Sequence, residues 1–281
     1  MVSVVIPVLD EEAHLGEQLA AISAQECDRE WELVVADNGS TDRSRSIATS
    51  WAERDRRIRV IDASVRRGPA AARNIGVAEA KGDVLVFCDA DDVAAPGWLA
   101  AMARAMDRNE FVTGDLDFSS LNADQPRRPP KRTGYPAALG FRPAATTVNM
   151  GVSRAVFDRV GGFDESLEFG EDPDFSWRVQ EHGVELGYAP DAVVAYRLRD
   201  QASALWRQQV AWGRSEVALF KRWAAVGMPR RTWPAVARDY LSLLARVRVL
   251  YRRTARLAWV RDAARRWGRV RGSIRQGVIY L

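Results

Sequence analysis

The chain has 281 residues, of which 47% are hydrophobic and 28% charged, and its formal net charge is +4. This composition is typical of a globular protein with a sizeable core, and it excludes a disordered chain, a collagen-like repeat and a disulfide-framed miniprotein. Cys27 and Cys88 are far apart and form no CxxC pair, so we expect reduced thiols and no structural zinc site. Neither a signal peptide nor a charge-free apolar run of about 18 residues is present, which predicts a cytoplasmic protein without a membrane span.

Apolar strands alternate with helical segments over the first 90 residues. Strands are predicted at 2–8, 31–37, 58–62 and 83–91, and the helices between them begin near Leu15, at Thr41-Asp42 and at Gly68-Pro69. The strands are short and rich in β-branched residues, a pattern that favours burial on both faces of a sheet. Repeated strand–helix units of this spacing predict a parallel sheet with right-handed crossovers.

The second half of the chain is less regular. Strands are predicted at 110–118 and 149–154, a helix at 171–183, and two short strands within 185–197. Residues 122–136 are rich in proline and basic residues, which predicts a mobile loop. From about Ala202 onward the pattern is helical throughout.

Charge is distributed unevenly along the chain. Residues 230–281 contain 14 arginines and only two acidic residues, a net charge of +12, whereas residues 1–229 carry 27 basic and 35 acidic residues, a net charge of −8. An apolar stripe of helical period begins at Tyr240, and a basic amphipathic helix of this kind suits the surface of an anionic membrane. The alternative is a helix that packs on its own domain or on a second subunit.

Acidic residues follow each of the first four predicted strands: Asp10, Asp37, Asp62 and the run Asp89-Ala90-Asp91-Asp92. Ligands of open parallel sheets bind beyond the carboxyl ends of the strands, where these carboxylates would converge. A crowd of carboxylates without nearby Cys or His favours a hard cation, Mg²⁺ or Mn²⁺, and such ions usually hold phosphate-bearing substrates. The chain has neither the glycine fingerprint of dinucleotide-binding folds nor a P-loop.

Four segments, in order and in spacing, resemble family 2 glycosyltransferases. They are VSVVIPVLDEEAHL, VVADNGSTDRS, RRGPAAARNIGVAEAKGDVLVFCDADD and NMGVSRAVFDRVGGFDESLEFGEDPDFSWRV, and the resemblance covers about residues 2–198. It implies an α/β GT-A fold, which is a Rossmann-like, mostly parallel sheet flanked by helices. The expected organisation is a catalytic domain at 1–200, with a nucleotide-sugar half at 1–92 and an acceptor half at 93–200, followed by a basic helical extension at 201–281.

The resemblance also implies an enzyme that transfers a sugar from a nucleoside-diphosphate sugar to an acceptor hydroxyl with inversion. By position, the donor-binding residues would be Pro7, Asp10, Glu12, Asp37, Asp62, Arg67, Arg73, Asn74, Asp89 and Ala90. Asp89 and Asp91 match the DxD motif that holds a divalent cation, Mn²⁺ or Mg²⁺. Asp172 matches the general base of the ED motif, and Glu171 is the alternative base. We expect the helix N-terminus at Asp172 to favour its charged form.

One position departs from the family pattern. Many relatives have a histidine after the second late strand, where this chain has Tyr196 and Arg197. Arg197 or Arg199 could hold the diphosphate directly, which would reduce the reliance on metal.

Two other interpretations of the acidic residues remain. A metal-dependent phosphohydrolase or nucleotidyltransferase could use the same acidic residues, but the ordered motifs argue against it. A non-catalytic nucleotide-sugar-binding domain would not need Asp172. No nucleic-acid partner is expected, since no recognition motif accompanies the arginines. The acceptor we favour is lipid-linked or a cell-envelope glycan, with the protein held peripherally on the inner face of the membrane by residues 230–281.

Overall fold

The structure is a computed structural model that describes residues 1–122, 137–199, 201–251 and 253–281. Its strands are β1 Val2–Val8, β2 Trp31–Asp37, β3 Ile58–Asp62, β4 Val84–Phe87, β5 Val93–Ala94, β6 Phe111–Asp117, β7 Ala137–Ala138, β8 Arg142–Pro143, β9 Met150–Ser153 and β10 Gly187–Ala195. Its helices are α1 Leu15–Ser23, α2 Ser44–Arg54, α3 Pro69–Glu79, α4 Trp98–Met106, α5 Arg154–Val160, α6 Glu171–Glu181, α7 Ala202–Trp223, α8 Trp233–Ala245 and α9 Arg253–Gln276.

In the described part of the chain, eight strands form one sheet in the order β3-β2-β1-β4-β9-β6-β10-β5. Strands β1 to β4 are mutually parallel, and β6 is parallel to β10, whereas β9 lies antiparallel between β4 and β6. The carboxyl ends of the first four strands therefore lie at one edge of the sheet, as predicted. The pairing of Val8 with Asp37, and of Asp37 with Asp62, brings the ends of β1, β2 and β3 into register.

Both faces of the sheet are buried under helices. On one face, alternate residues of β1 such as Val4 and Ile6 join a core with α1, α2 and α4. On the other face, Val5 and its neighbours join a core with α3, α5 and α6. The continuous apolar character of β1 and β2 follows from this burial on both sides, and the predicted α/β architecture is confirmed.

Several details differ from the sequence prediction. The fourth strand ends at Phe87, so the acidic run that follows it lies in a turn. The two short strands predicted within 185–197 are one strand, β10, with a register shift between Ala189 and Val193. Pro190 lies within that shift, where its missing N–H costs no ladder hydrogen bond. Helix α4 was not predicted, and the predicted loop 122–136 lies outside the described residues except for its first residue.

Helix α7 and the end of the chain pack together and against α6 through aromatic contacts. The ring of Trp223 on α7 meets Trp177 on α6 edge to face at 5.6 Å, and its Nε1 donates a hydrogen bond of 3.0 Å to Asp174. Near the end of the chain, Tyr280 stacks on Phe220 at 4.7 Å. These contacts bury the junction between α6, α7 and the last residues of the chain.

Helices α7 and α9 cross closely because glycines lie at their contact. A Cβ added to Gly268 would lie 2.9 Å from the Cα of Gly213, so larger side chains cannot be accommodated without moving the helices apart. Glu216, buried beside this crossing, forms ion pairs with Arg265 and Arg269. Helix α9 therefore packs on its own protein, which is one of the two alternatives that the sequence left open.

Candidate active site

The carboxyl ends of β2 and β3 bring two predicted donor-binding carboxylates together. Asp37 is buried and accepts a hydrogen bond of 3.1 Å from the backbone N–H of Ser40, whereas Asp62 is exposed. Arg45 Nη1 lies 3.3 Å from Asp37 and 3.7 Å from Asp62, so a single guanidinium bridges both carboxylates. Hydrogen bonds from Ser64 lower the pKa of the Asp62 carboxyl, which keeps it ionised.

The segment after β1 is held by the loop after β2. Asp10 has a left-handed backbone with φ 52°, and its Oδ1 accepts a hydrogen bond of 2.6 Å from the N–H of Thr41. Glu12 accepts a hydrogen bond of 3.1 Å from the N–H of Arg43. These hydrogen bonds of Asp10 and Glu12 hold the loop after β1 against the loop after β2. Pro7 is half-buried near the end of β1.

Asn38, which the sequence prediction did not name, ties the start of α3 to the end of β2. Its Nδ2 donates hydrogen bonds to the carbonyls of Ala63 and Arg66, and its Oδ1 accepts one of 2.8 Å from the N–H of Gly68. The neighbouring Arg67 is exposed. An asparagine directly after a strand was the available signal, but its partners lie 25 to 30 residues further along the chain.

Asn74 makes contacts that the prediction did not anticipate. Its amide donates a hydrogen bond of 2.9 Å to the carbonyl of Phe163 and accepts one of 3.0 Å from the N–H of the same residue. It also donates a hydrogen bond of 2.8 Å to Glu165. Asn74 therefore holds the 162–165 turn, and its assignment to the donor site stays a prediction.

The turn after β4 presents three carboxylates whose nearest oxygens all lie within 4.8 Å of one another: Asp89, Asp91 and Asp92. Burial and the negative charge of Asp89 raise the pKa of Asp91. Burial and the negative charges of Asp91 and Asp89 raise the pKa of Asp92 to about 9. Asp92 Oδ1 accepts a hydrogen bond of 2.7 Å from the N–H of Arg197, while its Oδ2 is buried without a hydrogen-bond partner among the described residues. Ala90 is buried between them. This all-oxygen set of ligands fits a hard divalent cation.

Arg73, on α3, joins this cluster to the start of α6. It is only 4% exposed, and its Nη2 and Nη1 lie 2.8 Å from Asp89 and 2.8 Å from Glu171. Burial lowers the pKa of Arg73, but the carboxylates of Asp89, Glu171 and Asp172 together raise it above its ordinary value. Both residues of the predicted ED motif therefore lie at the same site as the acidic turn.

Asp172 lies in the first turn of α6, beside Arg73 and Thr147. Its Oδ1 is buried and has no hydrogen-bond partner among residues 1–122, 137–199, 201–251 and 253–281. Burial, followed by the Glu171 carboxylate, raises the pKa of Asp172 to about 7. The helix N-terminus was expected to favour the charged form, but desolvation outweighs that effect. A carboxylate of this pKa can take a proton near neutral pH.

Arg199 and Glu11 complete the acidic side of the site. Arg199 Nη2 lies 3.1 Å from Asp91 Oδ2 and 3.8 Å from Glu11 Oε1. Burial and the Asp91 carboxylate raise the pKa of Glu11 to about 7. The sequence analysis proposed Arg199 only as a diphosphate ligand, and it did not name Glu11 individually, although Glu11 lies between Asp10 and Glu12.

Two protein-family models match this sequence. The model described as glycosyl transferase family 2 matches residues 3–161, and the model described as glycosyl transferase family group 2 matches residues 136–261. A pre-mycofactocin glycosyltransferase of Mycobacterium tuberculosis is 31% identical over 246 residues, which are 84% of this chain and 50% of the relative. Glycosyltransferase AglE of Haloferax volcanii is 28% identical over 79% of this chain and 75% of its own length. The chain thus spans about half the length of the mycobacterial relative.

Solved structures share the fold at low sequence identity. A mannosyltransferase of Pyrobaculum calidifontis, PcManGT, in complex with GDP-Man and Mn²⁺, superposes with a TM-score of 0.68 at 19% identity, over 96% of this chain and 86% of that one. S. aureus TarS 1–349 in complex with UDP-GlcNAc superposes with a TM-score of 0.57 at 17% identity, over 100% and 93% of the two chains. The arrangement of strands and helices is therefore that of GT-A glycosyltransferases.

Proposed function

This chain belongs to glycosyltransferase family 2, and we propose that it transfers a sugar from a nucleoside-diphosphate sugar to an acceptor hydroxyl with inversion. The observation that carries the proposal is the Arg73 bridge. One buried guanidinium contacts Asp89 of the acidic turn and Glu171 of the ED pair, with Asp172 alongside. Donor activation and proton removal can therefore occur in one site.

The donor would lie along the carboxyl ends of β1 to β4. Asp37 and Asp62, bridged by Arg45, offer carboxylate acceptors for the nucleotide, and the loop held by Asn38 forms the adjacent wall. Two fold neighbours were solved in complex with GDP-Man and with UDP-GlcNAc, which supports a nucleoside-diphosphate sugar as the donor class.

Asp89 and Asp91 would hold a divalent cation, Mn²⁺ or Mg²⁺. Asp92 Oδ2, which has no hydrogen-bond partner in the described part of the chain, and the raised pKa values of Asp91 and Asp92 are the features that fit such an ion. When bound, the cation supplies Lewis-acid stabilisation of the departing diphosphate. Asp92, anchored by the N–H of Arg197, would keep the turn in place.

Asp172 would act as the general base. As the acceptor oxygen bonds to the anomeric carbon, the bond from that carbon to the diphosphate oxygen breaks, and the hydroxyl proton passes to Asp172. Attack opposite the leaving group inverts the anomeric configuration. Glu171 is paired with Arg73 at 2.8 Å, so it is the less available of the two carboxylates for this role.

The test is a screen of nucleotide-sugars for thermal stabilisation, with and without Mn²⁺, followed by NMR assignment of the product anomer. A ligand at 100 times its Kd should add about 2.7 kcal/mol to the free energy of unfolding. Retention of the donor's anomeric configuration would refute the inverting mechanism. Stabilisation without any transfer would favour the non-catalytic alternative.

We further propose that the C-terminal region attaches to an anionic membrane and brings the site to a lipid-linked acceptor. Helix α8 leaves Trp233, Leu241 and Leu244 about two-thirds exposed, next to the exposed Arg238 and Arg248. An apolar face beside arginines matches the chemistry of an anionic lipid surface. In the described part of the chain, no helix is both long and apolar enough to cross a bilayer.

Cosedimentation of the full chain with anionic and neutral vesicles tests this attachment. The substitutions Leu241→Ser and Leu244→Ser should reduce pelleting with anionic vesicles, because both side chains are exposed and their loss leaves the core unchanged. Arg104→Gln, which removes one exposed charge on α4 and leaves α8 unchanged, is the control. Equal pelleting of all variants, or equal binding to neutral vesicles, would refute the proposal.

A further inference from the structure

Arg199 occupies the carboxylate that the cation is proposed to use. It follows β10, is 44% exposed, and its Nη2 lies 3.1 Å from Asp91 Oδ2. Glu11 Oε1, at 3.8 Å, offers the same guanidinium a second carboxylate. A positive charge therefore stands beside Asp91 before any ligand arrives.

The nearby Arg197 does not have this freedom. Its backbone N–H donates a hydrogen bond of 2.7 Å to Asp92 Oδ1, and its Nε donates one of 2.8 Å to the carbonyl of Asp91. Its Nη2 pairs with Glu17 at 2.6 Å. These contacts tie Arg197 to the acidic turn and to Glu17 on α1. Arg199 contacts this turn through the Asp91 side chain, so it can leave without dismantling the turn.

We propose that Arg199 is a built-in counter-ion that competes with the divalent cation for Asp91 and passes to the donor diphosphate when the cation binds. This inference rests on the proposed function, because it needs both a cation and a diphosphate. A guanidinium and a divalent cation on one carboxylate repel each other, so occupancy by one disfavours the other. The planar guanidinium fork is well suited to phosphate oxygens, which gives the displaced side chain a new partner.

Two affinities should therefore change in opposite directions when Arg199 is removed. In Arg199→Gln, Mn²⁺ alone should bind about fivefold more tightly, since the competing ion pair is lost. That change equals about 1 kcal/mol, the value of a partly exposed ion pair. At saturating Mn²⁺, UDP and GDP should bind about tenfold more weakly, because a charge-assisted contact to the diphosphate is lost.

Calorimetric titration of the full chain provides both measurements. The probes are Mn²⁺ without nucleotide, then UDP and GDP with saturating Mn²⁺, on the wild type, Arg199→Gln, Arg199→Lys and the matched charge control Arg104→Gln. Arg199→Lys should keep the Mn²⁺ affinity near that of the wild type, since it keeps the charge. In an Asp91→Asn background, Arg199→Gln should no longer increase the Mn²⁺ affinity.

The outcomes separate this inference from the proposed function. An unchanged or weaker Mn²⁺ affinity in Arg199→Gln overturns the inference, and so does an absence of Mn²⁺ binding in both proteins. Unchanged UDP and GDP binding overturns the transfer of Arg199 to the diphosphate. Nucleotide-sugar turnover by the wild type tests the proposed function separately, and it can succeed while the counter-ion role fails.

Discussion

Replacing Asp172 by asparagine should lower sugar transfer while stabilising the protein at alkaline pH. Asparagine is similar in size but accepts no proton, so we expect transfer to fall by about 10²–10⁴-fold, the usual contribution of a general base. Donor affinity should change little, because the acidic turn keeps its contact between Arg73 and Asp89.

The effect on stability follows from the pKa of Asp172, which is about 7 instead of the ordinary 3.8. A carboxyl with a raised pKa in the folded state contributes stability at low pH, and that contribution is lost as the pH rises from about 4 through about 7. Above pH 7 the ionised group costs up to about 4 kcal/mol, and asparagine recovers part of it. The variant should therefore melt several degrees higher than the wild type at pH 8 and show no advantage near pH 4.

The assay combines thermal melts from pH 4 to 8 with donor binding and transfer rates at each pH. The wild-type kcat/KM should rise with pH through about 7 as Asp172 loses its proton. Asp158→Asn, which neutralises an exposed carboxylate on the adjacent α5, should leave both melting and transfer unchanged. Loss of donor binding in Asp172→Asn, or a lower melting temperature at pH 8, would refute this reasoning.

The remaining predictions concern the cation site, the Arg73 bridge and the contact between α7 and α9. Asp91→Asn should greatly weaken Mn²⁺-dependent donor binding without unfolding the protein, and normal turnover in limiting Mn²⁺ would contradict the assignment. Arg73→Gln should lower the free energy of unfolding by about 3–5 kcal/mol in denaturant titrations, because it leaves Asp89 and Glu171 without their buried partner; a small change would show that the bridge is not structural. Gly268→Val should cost about 1–3 kcal/mol in the same assay, since its Cβ has no room against Gly213; unchanged stability would mean that α7 and α9 cross less closely.

Much of the fold could be predicted from local patterns. The β-branched runs at β1 and β2, and the helices between them, depend on side-chain periodicity that is visible in any short window. The four ordered motifs then identified the family and the residues of the acidic turn and the ED pair. Helix α4 was missed, and β10 was divided into two strands because Pro190 interrupts its sequence where the register shifts.

The sequence by itself determined which residue types stand at the strand ends, but not which of them touch. Arg73 was predicted to border the donor, yet its partners are Asp89, 16 residues away, and Glu171, 98 residues away. Glu171 lies beyond β9, which enters the sheet antiparallel between β4 and β6, and no local pattern indicates that placement. Desolvation is likewise a property of the packed protein, so only the tertiary structure could raise the pKa of Asp172 to about 7.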